Sequence, residues 1–463
     1  MLRKVSKKLL LVLLTLALLT VSIVGGYAWS WQGYEDTALD TQYKEDGFVF
    51  GVRYSQVGDA ANKGHSLAGN AVFADKAEAA FDPAVVEKDF YNMNALGLNA
   101  VAINLFTLME GVQFDQQGQI TGLDEAFTTN LDATLGAAKA NGLKVAVTLQ
   151  PALNELATGL VGSGKAVWDQ YTQMYYSEAV RAQYVDLCVK PVLDVLKKYE
   201  DEILYIAIVS QPEKDIAAVQ GGFGTTWDKM VAFVDAVNAV CRETLPGVST
   251  TVETDAAYVA NFNTVELTAA GVNAYVNNGA DLTAPADVTS TFPLYLSRFG
   301  ILKGSEATED FHTQTNRDIL NTAISSGYLG AFFDEWNGKT ATRSMFVDGT
   351  LRRFATTLFF TAFNYREDRA GTFNDSPAVM LYNENNGKVQ WIGSAIASTY
   401  TVERSVDGKE WTAVSEDMAA NDVDNGYFLC TWTDNDRAED TTYQYRIVMD
   451  KGTDYESVSA PSN

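Results

Sequence analysis

Eight short apolar runs in this chain each stop at polar or aromatic residues, and those stops collect the side chains best suited to chemistry. In order they offer Tyr54, Asn104, Gln150, Ser210 with Gln211, Glu253 and Asp255, Asn273 and Tyr275, Arg298, then Asp334, Glu335 and Trp336. Amides and aromatics gathered this way suit a pyranose, which presents apolar C–H faces and a ring of hydroxyls. Among the acids, Glu213 and Glu335, with Asp334 beside the latter, could perform general acid–base work through a water. The same residues also allow an electrostatic reading. Glu213 is then a solvated loop acid or a partner for the Lys214 neighbourhood, and Asp334 or Glu335 neutralises Arg298. A carboxylate so paired stays ionised and is a poor proton donor. Trp336 reads equally as a sugar platform or as packing at a rim. The cluster Trp168, Tyr171, Tyr175 and Tyr176 in "VWDQYTQMYY" reads first as the packing face of a helix, with a stacking surface as the alternative.

Other chemistries find little support. His65 and His312 are the only histidines, and there is no CxxC and no HExxH, so neither a transition-metal site nor any other cofactor is expected. Cys188, Cys241 and Cys430 are widely spaced and odd in number, which gives no disulfide framework. The first two sit on apolar helical patterns and are expected to be buried free thiols.

The runs that would position these residues are "FVFGVRY" (48–54), "NAVAINLF" (99–106), "LKVAVTL" (143–149), "ILYIAIVS" (203–210), "GVSTTVE" (247–253), "AGVNAYV" (270–276), "PLYLSR" (293–298) and "YLGAFFDE" (328–335). Near-continuous apolar character marks strands buried on both faces. Amphipathic helical patterns lie between them. One has Pro83 at a first-turn place, another ends at Asn141-Gly142, and a longer one is expected to kink at Pro191; "LRRFATTLFFTAFN" closes the series. Alternation of this kind predicts an α/β fold, a (β/α)₈ TIM barrel over residues 47–376, with chemistry at the C-terminal ends of its strands. The fifth unit, between Glu253 and Gly271, has room for only a short helical stretch. From 377 to 463 the pattern changes to alternating strands broken by turns such as Asp407-Gly408, which predicts a small all-β sandwich.

The ends and the charge bear on location and partners. Arg3, Lys4, Lys7 and Lys8 precede a stretch with no charge from Leu9 through Trp31, so residues 1–31 read as a signal peptide or an uncleaved signal anchor. Residues 32–46 are polar and read as a stalk. The remainder is then extracytoplasmic, membrane-anchored at the cell surface or secreted, and touches a membrane only through that first segment. A net charge of −25 carries no basic stripe and argues against nucleic acid. Nothing here sets an oligomeric state.

Several of these pieces resemble clan A glycoside hydrolases, family 5 in particular. "EKDFYNMNALGLNAVAINLF" looks like their second βα unit and "ILYIAIVSQPE" like the fourth-strand segment that ends there in Asn-Glu-Pro. "GVNAY" resembles the sixth strand, "PLYLSRFG" the seventh-strand segment ending in Glu-Phe-Gly, and "GAFFDEWNG" the eighth strand with its Trp. The resemblance implies two catalytic glutamates about 5 Å apart, one an acid/base and one a nucleophile. Matched residue by residue, those positions hold Gln211 and Arg298, the fourth-strand Asn is Ser210, and the Arg of the second strand falls near Ala102. A carboxamide has no useful proton to give, and a guanidinium cannot attack. By the same resemblance Trp336 would stack under a sugar, and Tyr275 would stand beside the nucleophile position. Asn273 and Tyr275 would bond Arg298 or a ligand, and Asp334 and Tyr54 would line the same site.

The sandwich resembles the fibronectin type III modules of bacterial carbohydrate-active enzymes, with Trp391, Trp411 and Tyr445 as its core. The expectation is a pseudoenzyme, carbohydrate-binding or structural at the bacterial cell surface, whose partner is a β-linked oligo- or polysaccharide. The alternative is an active glycosidase with its carboxylates relocated to Glu213 and Glu335. A third reading is a scaffold plugged by an Arg298 ion pair.

Overall fold

The computed structural model describes residues 48–54, 81–95, 98–117, 119–153, 172–217, 225–302, 308–337, 344–347, 350–351, 380–383, 386–394, 397–420, 430–438 and 441–462. The expected signal segment and stalk, Trp168, Tyr171 and the helical run after Leu351 lie outside them. No helix among the described residues is long and apolar enough to cross a membrane.

Strands β1 (Val49–Tyr54) and β2 (Ala100–Asn104) are followed by a small hairpin, β3 (Val112–Phe114) with β4 (Ile120–Leu123). Then come β5 (Lys144–Pro151), β6 (Ile203–Ser210), β7 (Ser249–Asp255), β8 (Ala270–Val276), β9 (Leu294–Ile301) and β10 (Gly330–Phe333). All but the hairpin close into a parallel barrel in the order β1-β10-β9-β8-β7-β6-β5-β2. Each barrel strand coincides with one of the eight apolar runs, because strands covered on both faces have no polar side to betray their alternation.

The helices around the barrel are α1 (Pro83–Ala95), α2 (Glu125–Ala140), α3 (Glu178–Tyr184), α4 (Lys190–Leu196), α5 (Pro212–Ala217), α6 (Trp227–Thr244) and α7 (Glu309–Ser326). Local chemistry sets their ends. Asp124, Ser177, Thr226 and Thr308 cap helix N-termini through side-chain oxygens, and Gly327 stops α7 at φ 91°. Pro191 does not simply kink its helix. A π-helical turn, Val185–Val189, joins α3 to α4, and the Lys190 N–H reaches back to the Val185 carbonyl. The wider turn accommodates a ring that has no N–H and would crowd the preceding turn. Cys188 and Cys241 are buried and unpaired, and burial pushes both thiols up to about 12. The fifth unit holds a single 3₁₀ stretch, Ala256–Phe262, and the sixth holds only two three-residue 3₁₀ turns, Gly279–Asp281 and Pro285–Asp287.

Towards the C-terminus two antiparallel sheets share one core. One has the order β14-β15-β18 (Met380–Asn383, Lys388–Trp391, Cys430–Thr433). The other has the order β17-β16-β19-β20 (Thr412–Ala419, Thr399–Ser405, Gln444–Met449, Ser457–Val458). Trp391, Tyr400, Val402, Tyr445 and Ile447 fill the space between them. Trp411, expected in that core, is only half-buried. Its ring lies 4.6 Å from the Arg446 guanidinium, and Arg446 pairs with Glu403. The pleat explains the displacement: Tyr400 and Val402 turn inward, so Glu403 and its cross-strand neighbour Arg446 face out.

Candidate functional site

The barrel interior is layered, and the lower layer decides what the upper ones can hold. Tyr205, Tyr295 and Phe332 occupy the bottom, with Ala100, Ala102, Ala146 and Ala207 making room for them. Gly51 is part of that fit. A side-chain carbon there would stand 2.5 Å from the Phe332 ring and 2.9 Å from the Ala100 carbonyl oxygen. With Gly51 facing inward, strand alternation sends Arg53 inward and Tyr54 out.

Arg53 and Glu253 form the middle layer. Arg53 Nη1 donates to both Glu253 carboxylate oxygens at 3.1 Å and to the Ser297 carbonyl at 3.2 Å. Its Nη2 donates to Asn104 Oδ1 at 2.6 Å and to Thr148 Oγ1 at 3.2 Å. Thr148 and Tyr205 hydroxyls complete the Glu253 carboxylate, each at 3.2 Å. Burial and the adjacent Glu253 together hold the Tyr205 phenol well above its ordinary range. The charged side chains are 4% and 0% exposed, so water does not screen them.

Above this pair the mouth is tied from strand to strand. Gln211 follows β6 in a left-handed conformation, φ 55°, fixed by its N–H donating to the Glu253 carbonyl at 2.7 Å. Its side-chain oxygen accepts from Arg298 Nη1 at 2.9 Å and from Lys214 Nζ at 3.0 Å. Arg298 owes its aim to a bulge. Val272 pairs with Leu296 but Asn273 pairs with Arg298, so β9 carries one extra residue there, and β10 skips at the same place. The bulge lets Ser297 and then Arg298 both serve the interior, where a regular strand would send the second one out. Arg298 Nε lies 3.2 Å from Asp334 Oδ1, with side chains 12% and 9% exposed. The Asp334 N–H is held by the Phe299 carbonyl at 2.9 Å. Gln211, Arg298 and Asp334 therefore form a continuous polar link from β6 across β9 to β10.

The expected substitute acids do not join this link. Thr254, directed outward because Glu253 points in, donates its hydroxyl to Glu213 Oε2 at 2.7 Å. Burial pushes the Glu213 carboxyl from 4.5 up to about 7, and Asp255 nearby is also raised, chiefly by burial. Glu335 sits in a separate small sheet, β11 (Glu335–Asn337), β12 (Ser344–Val347) and β13 (Thr350–Leu351), and accepts from the Ser344 hydroxyl at 2.7 Å. Of the two candidates to neutralise Arg298, Asp334 is the one in range.

The remaining expected residues divide. Asn273 is at the mouth, buried, with Oδ1 accepting from Ser297 Oγ at 3.1 Å. Its Nδ2 and the Ser210 hydroxyl are buried with no partner among the described residues. Tyr275 lies over Gly300, where a side-chain carbon would stand 3.5 Å from its ring. Trp336 is 1% exposed, which favours packing over an open platform. Tyr54 is displaced from the expected site. It faces α1, donates to Asp89 Oδ2 at 2.7 Å and packs edge-on to Phe90. Gln150 likewise turns away, accepting from the Tyr184 hydroxyl at 3.1 Å. Arg53 is the functional-layer residue that reading the strand tips missed. Its signal was present as a lone cation inside an apolar strand, at the parity that Gly51 sets.

No protein-family model matches the chain, and no curated protein matches it in sequence. In structure it is similar to a β-mannanase from the blue mussel Mytilus edulis. The two are 17% identical, with a TM-score of 0.50 over 69% of this chain and 93% of the mussel protein. A β-1,4-mannanase from the sea hare Aplysia kurodai is 17% identical, with a TM-score of 0.46 over 62% of this chain and 88% of its own. An endo-β-1,4-mannanase from Thermotoga petrophila is 11% identical, with a TM-score of 0.43 over 90% and 97%. At these identities the likeness is one of fold, and the mussel protein carries it. The eight-stranded TIM barrel expected from the sequence is the barrel observed.

Proposed function

We propose that this chain is a non-hydrolytic, carbohydrate-binding protein on a glycoside hydrolase-like barrel, displayed outside the cytoplasm with a fibronectin type III-like sandwich. One observation carries the loss of hydrolysis: the positions that resemble the two catalytic glutamates hold Gln211 and Arg298, and these are bonded to each other, with Asp334 behind them. Glycoside cleavage by the two-carboxylate route needs one protonated and one free carboxyl facing the bond. The link supplies an amide, a cation and a carboxylate already paired with that cation. The buried, unpartnered Ser210 hydroxyl and Asn273 amide nitrogen support a ligand or water at the same end of the barrel, because such groups are rarely left unbonded. The mussel neighbour is a β-mannanase, which makes β-mannan the first glycan to try.

The test is to incubate the purified chain with β-mannan, β-glucan and xylan and to follow reducing ends, with binding read in parallel on a glycan array. The proposal expects retention without product, and ordinary turnover on any of the three overturns it. The active reading has one observation in its favour, the Glu213 carboxyl raised to about 7, a useful value for a general acid. That reading requires Glu335→Gln to abolish turnover.

A further inference from the structure

The short fifth unit leaves a gap on the barrel flank, and the gap has the chemistry of a binding site. A groove of about 380 Å³ runs between α6 and the segment that follows β7. Trp227, Asp228 and Asp235 line it from α6, and Asn261, Thr264 and Val265 line it from the other side. Its volume lies within the range of small-ligand sites. Both walls begin at the mouth end of the barrel, because α6 follows the C-terminal end of β6 and the 3₁₀ stretch follows that of β7. From Trp227 to Asp235 the groove then descends along α6 for roughly 12 Å at the rise of an α-helix.

Its head is an aromatic pair held in place from several directions. Trp227 is the first residue of α6, and the Thr226 hydroxyl caps that helix by accepting from the Lys229 N–H. The Tyr258 ring lies 5.3 Å from the Trp227 ring at 31°, and Phe262 meets it edge-on at 5.9 Å and 80°. Tyr258 itself is 37% exposed. Below this pair the polar lining is rich in acceptors: two carboxylates, one amide and one hydroxyl. Among the described residues no Lys, Arg or His lines the groove, and the nearby Arg181 is engaged with the Ala232 carbonyl.

We infer that this flank groove is a binding site for a neutral oligosaccharide, with Trp227 as the stacking surface and Asp228, Asp235 and Asn261 as acceptors for its hydroxyls. The assignment rests on the carbohydrate-binding reading above and places the glycan beside the mouth rather than in it. Phosphate and uronate ligands fit poorly, since the described lining places Asp228 and Asp235 against their charge and no cation beside it. A saccharide uses both halves of the lining, with C–H faces on the indole and O–H donors on the carboxylates. An elongated groove with acceptors at both ends suits a short run of linked rings. The location also resolves a tension, because a mouth crossed by Arg298 and Gln211 has little freedom to seat a polymer.

Calorimetric titration of the full chain with mannohexaose, cellohexaose and xylohexaose tests this, with Trp227→Ala, Asp235→Asn and the mouth variant Asn273→Ala compared throughout. Expected is binding of at least one hexasaccharide, weakened about tenfold or more by Trp227→Ala and severalfold by Asp235→Asn, each loss exceeding that brought by Asn273→Ala. Asp235 is exposed, so its variant reads the site even if Trp227→Ala loses stability. Binding weakened only by Asn273→Ala overturns the groove and leaves the carbohydrate-binding reading standing. No binding of any hexasaccharide overturns both. A tetra-arginine peptide bound through Trp227 in place of the sugars overturns the saccharide assignment, since an indole between two carboxylates also attracts a cation.

Discussion

Replacing Glu253 by leucine strips the counter-charge from Arg53 at a depth that water does not reach. Three of the Arg53 hydrogen bonds survive the change, those to Ser297 O, Asn104 and Thr148, but all three go to neutral acceptors. Breaking a buried pair by removing one partner typically costs about 3–5 kcal/mol, because a charge is left uncompensated. Tyr205 and Thr148 lose their shared acceptor as well, adding about 1 kcal/mol or more between them. The expected destabilisation is therefore roughly 4–6 kcal/mol. Arg53→Met strands the Glu253 carboxylate in the same way and should also destabilise, by about 3–5 kcal/mol. The double variant Arg53→Met/Glu253→Leu removes both charges and should recover to within about 2 kcal/mol of the parent. Urea unfolding followed by tryptophan fluorescence and far-ultraviolet circular dichroism measures all four corners of the cycle. A Glu253→Leu loss below about 1 kcal/mol, or a double variant as unstable as the sum of the singles, would refute the premise that this pair is an unscreened charge couple tying six of the barrel strands together.

Other outcomes follow from the same geometry. Glu213 has a folded pKa raised from 4.5 to about 7, so the folded state holds its proton longer and stability falls as pH rises from about 4.5 to about 7, then levels. Glu213→Gln should accordingly leave stability unchanged at pH 4 and raise it by about 2 kcal/mol at pH 8, read from urea midpoints, and an equal effect at both values would discard the buried-acid assignment. Gly51→Ala should destabilise by about 1–3 kcal/mol in thermal melts, because the added carbon meets Phe332 and a backbone oxygen together. Asp334→Asn should lower stability by about 1–3 kcal/mol, and the loss should resist 1 M salt, whereas a screened surface pair would show the opposite.

How much of this could be read in advance depends on which physical quantity each feature obeys. The eight strands were legible because burial on both faces writes itself as short runs of mainly apolar and β-branched residues. The short fifth unit was legible for a simpler reason, since the stretch between Glu253 and Gly271 leaves room for only a short helical turn. Parity was harder. Reading the last residue of "FVFGVRY" put Tyr54 at the mouth, whereas Phe332 needs the space at Gly51 and so assigns the interior to Arg53. The β9 bulge left no mark in composition, since an extra residue changes pairing without changing hydrophobicity. Residue identity nevertheless pointed at an acid for Arg298, Asp334 or Glu335, because a cation near the end of a buried strand needs one, and the structure selects Asp334. The β3–β4 hairpin escaped notice because its strands are only three and four residues long. The flank groove was illegible for another reason, as its walls come from two elements some 30 residues apart, each unremarkable alone.

The two departures at the mouth are physically one. Suppose Gln211→Glu restored the acid while Arg298 stayed. The new carboxylate would stand in the place of an oxygen that now accepts from Arg298 at 2.9 Å and Lys214 at 3.0 Å. Two cations at that range favour the ionised form strongly, so the glutamate would hold no proton at neutral pH. It would instead gain charge-assisted hydrogen bonds, stabilising the fold by about 1–2 kcal/mol while releasing no sugar. Suppose instead Arg298→Glu restored the nucleophile while Gln211 stayed. Asp334, deprived of its cation, would then face a second carboxylate, and the repulsion between like charges costs stability. Neither single reversal gives a working pair, so each substitution removes the reason to keep the other residue. Gln211→Glu should therefore raise the urea midpoint and leave β-mannan uncut. Measurable hydrolysis by that single variant would show that Arg298 does not govern the protonation of position 211, and the coupling between the two sites would be wrong.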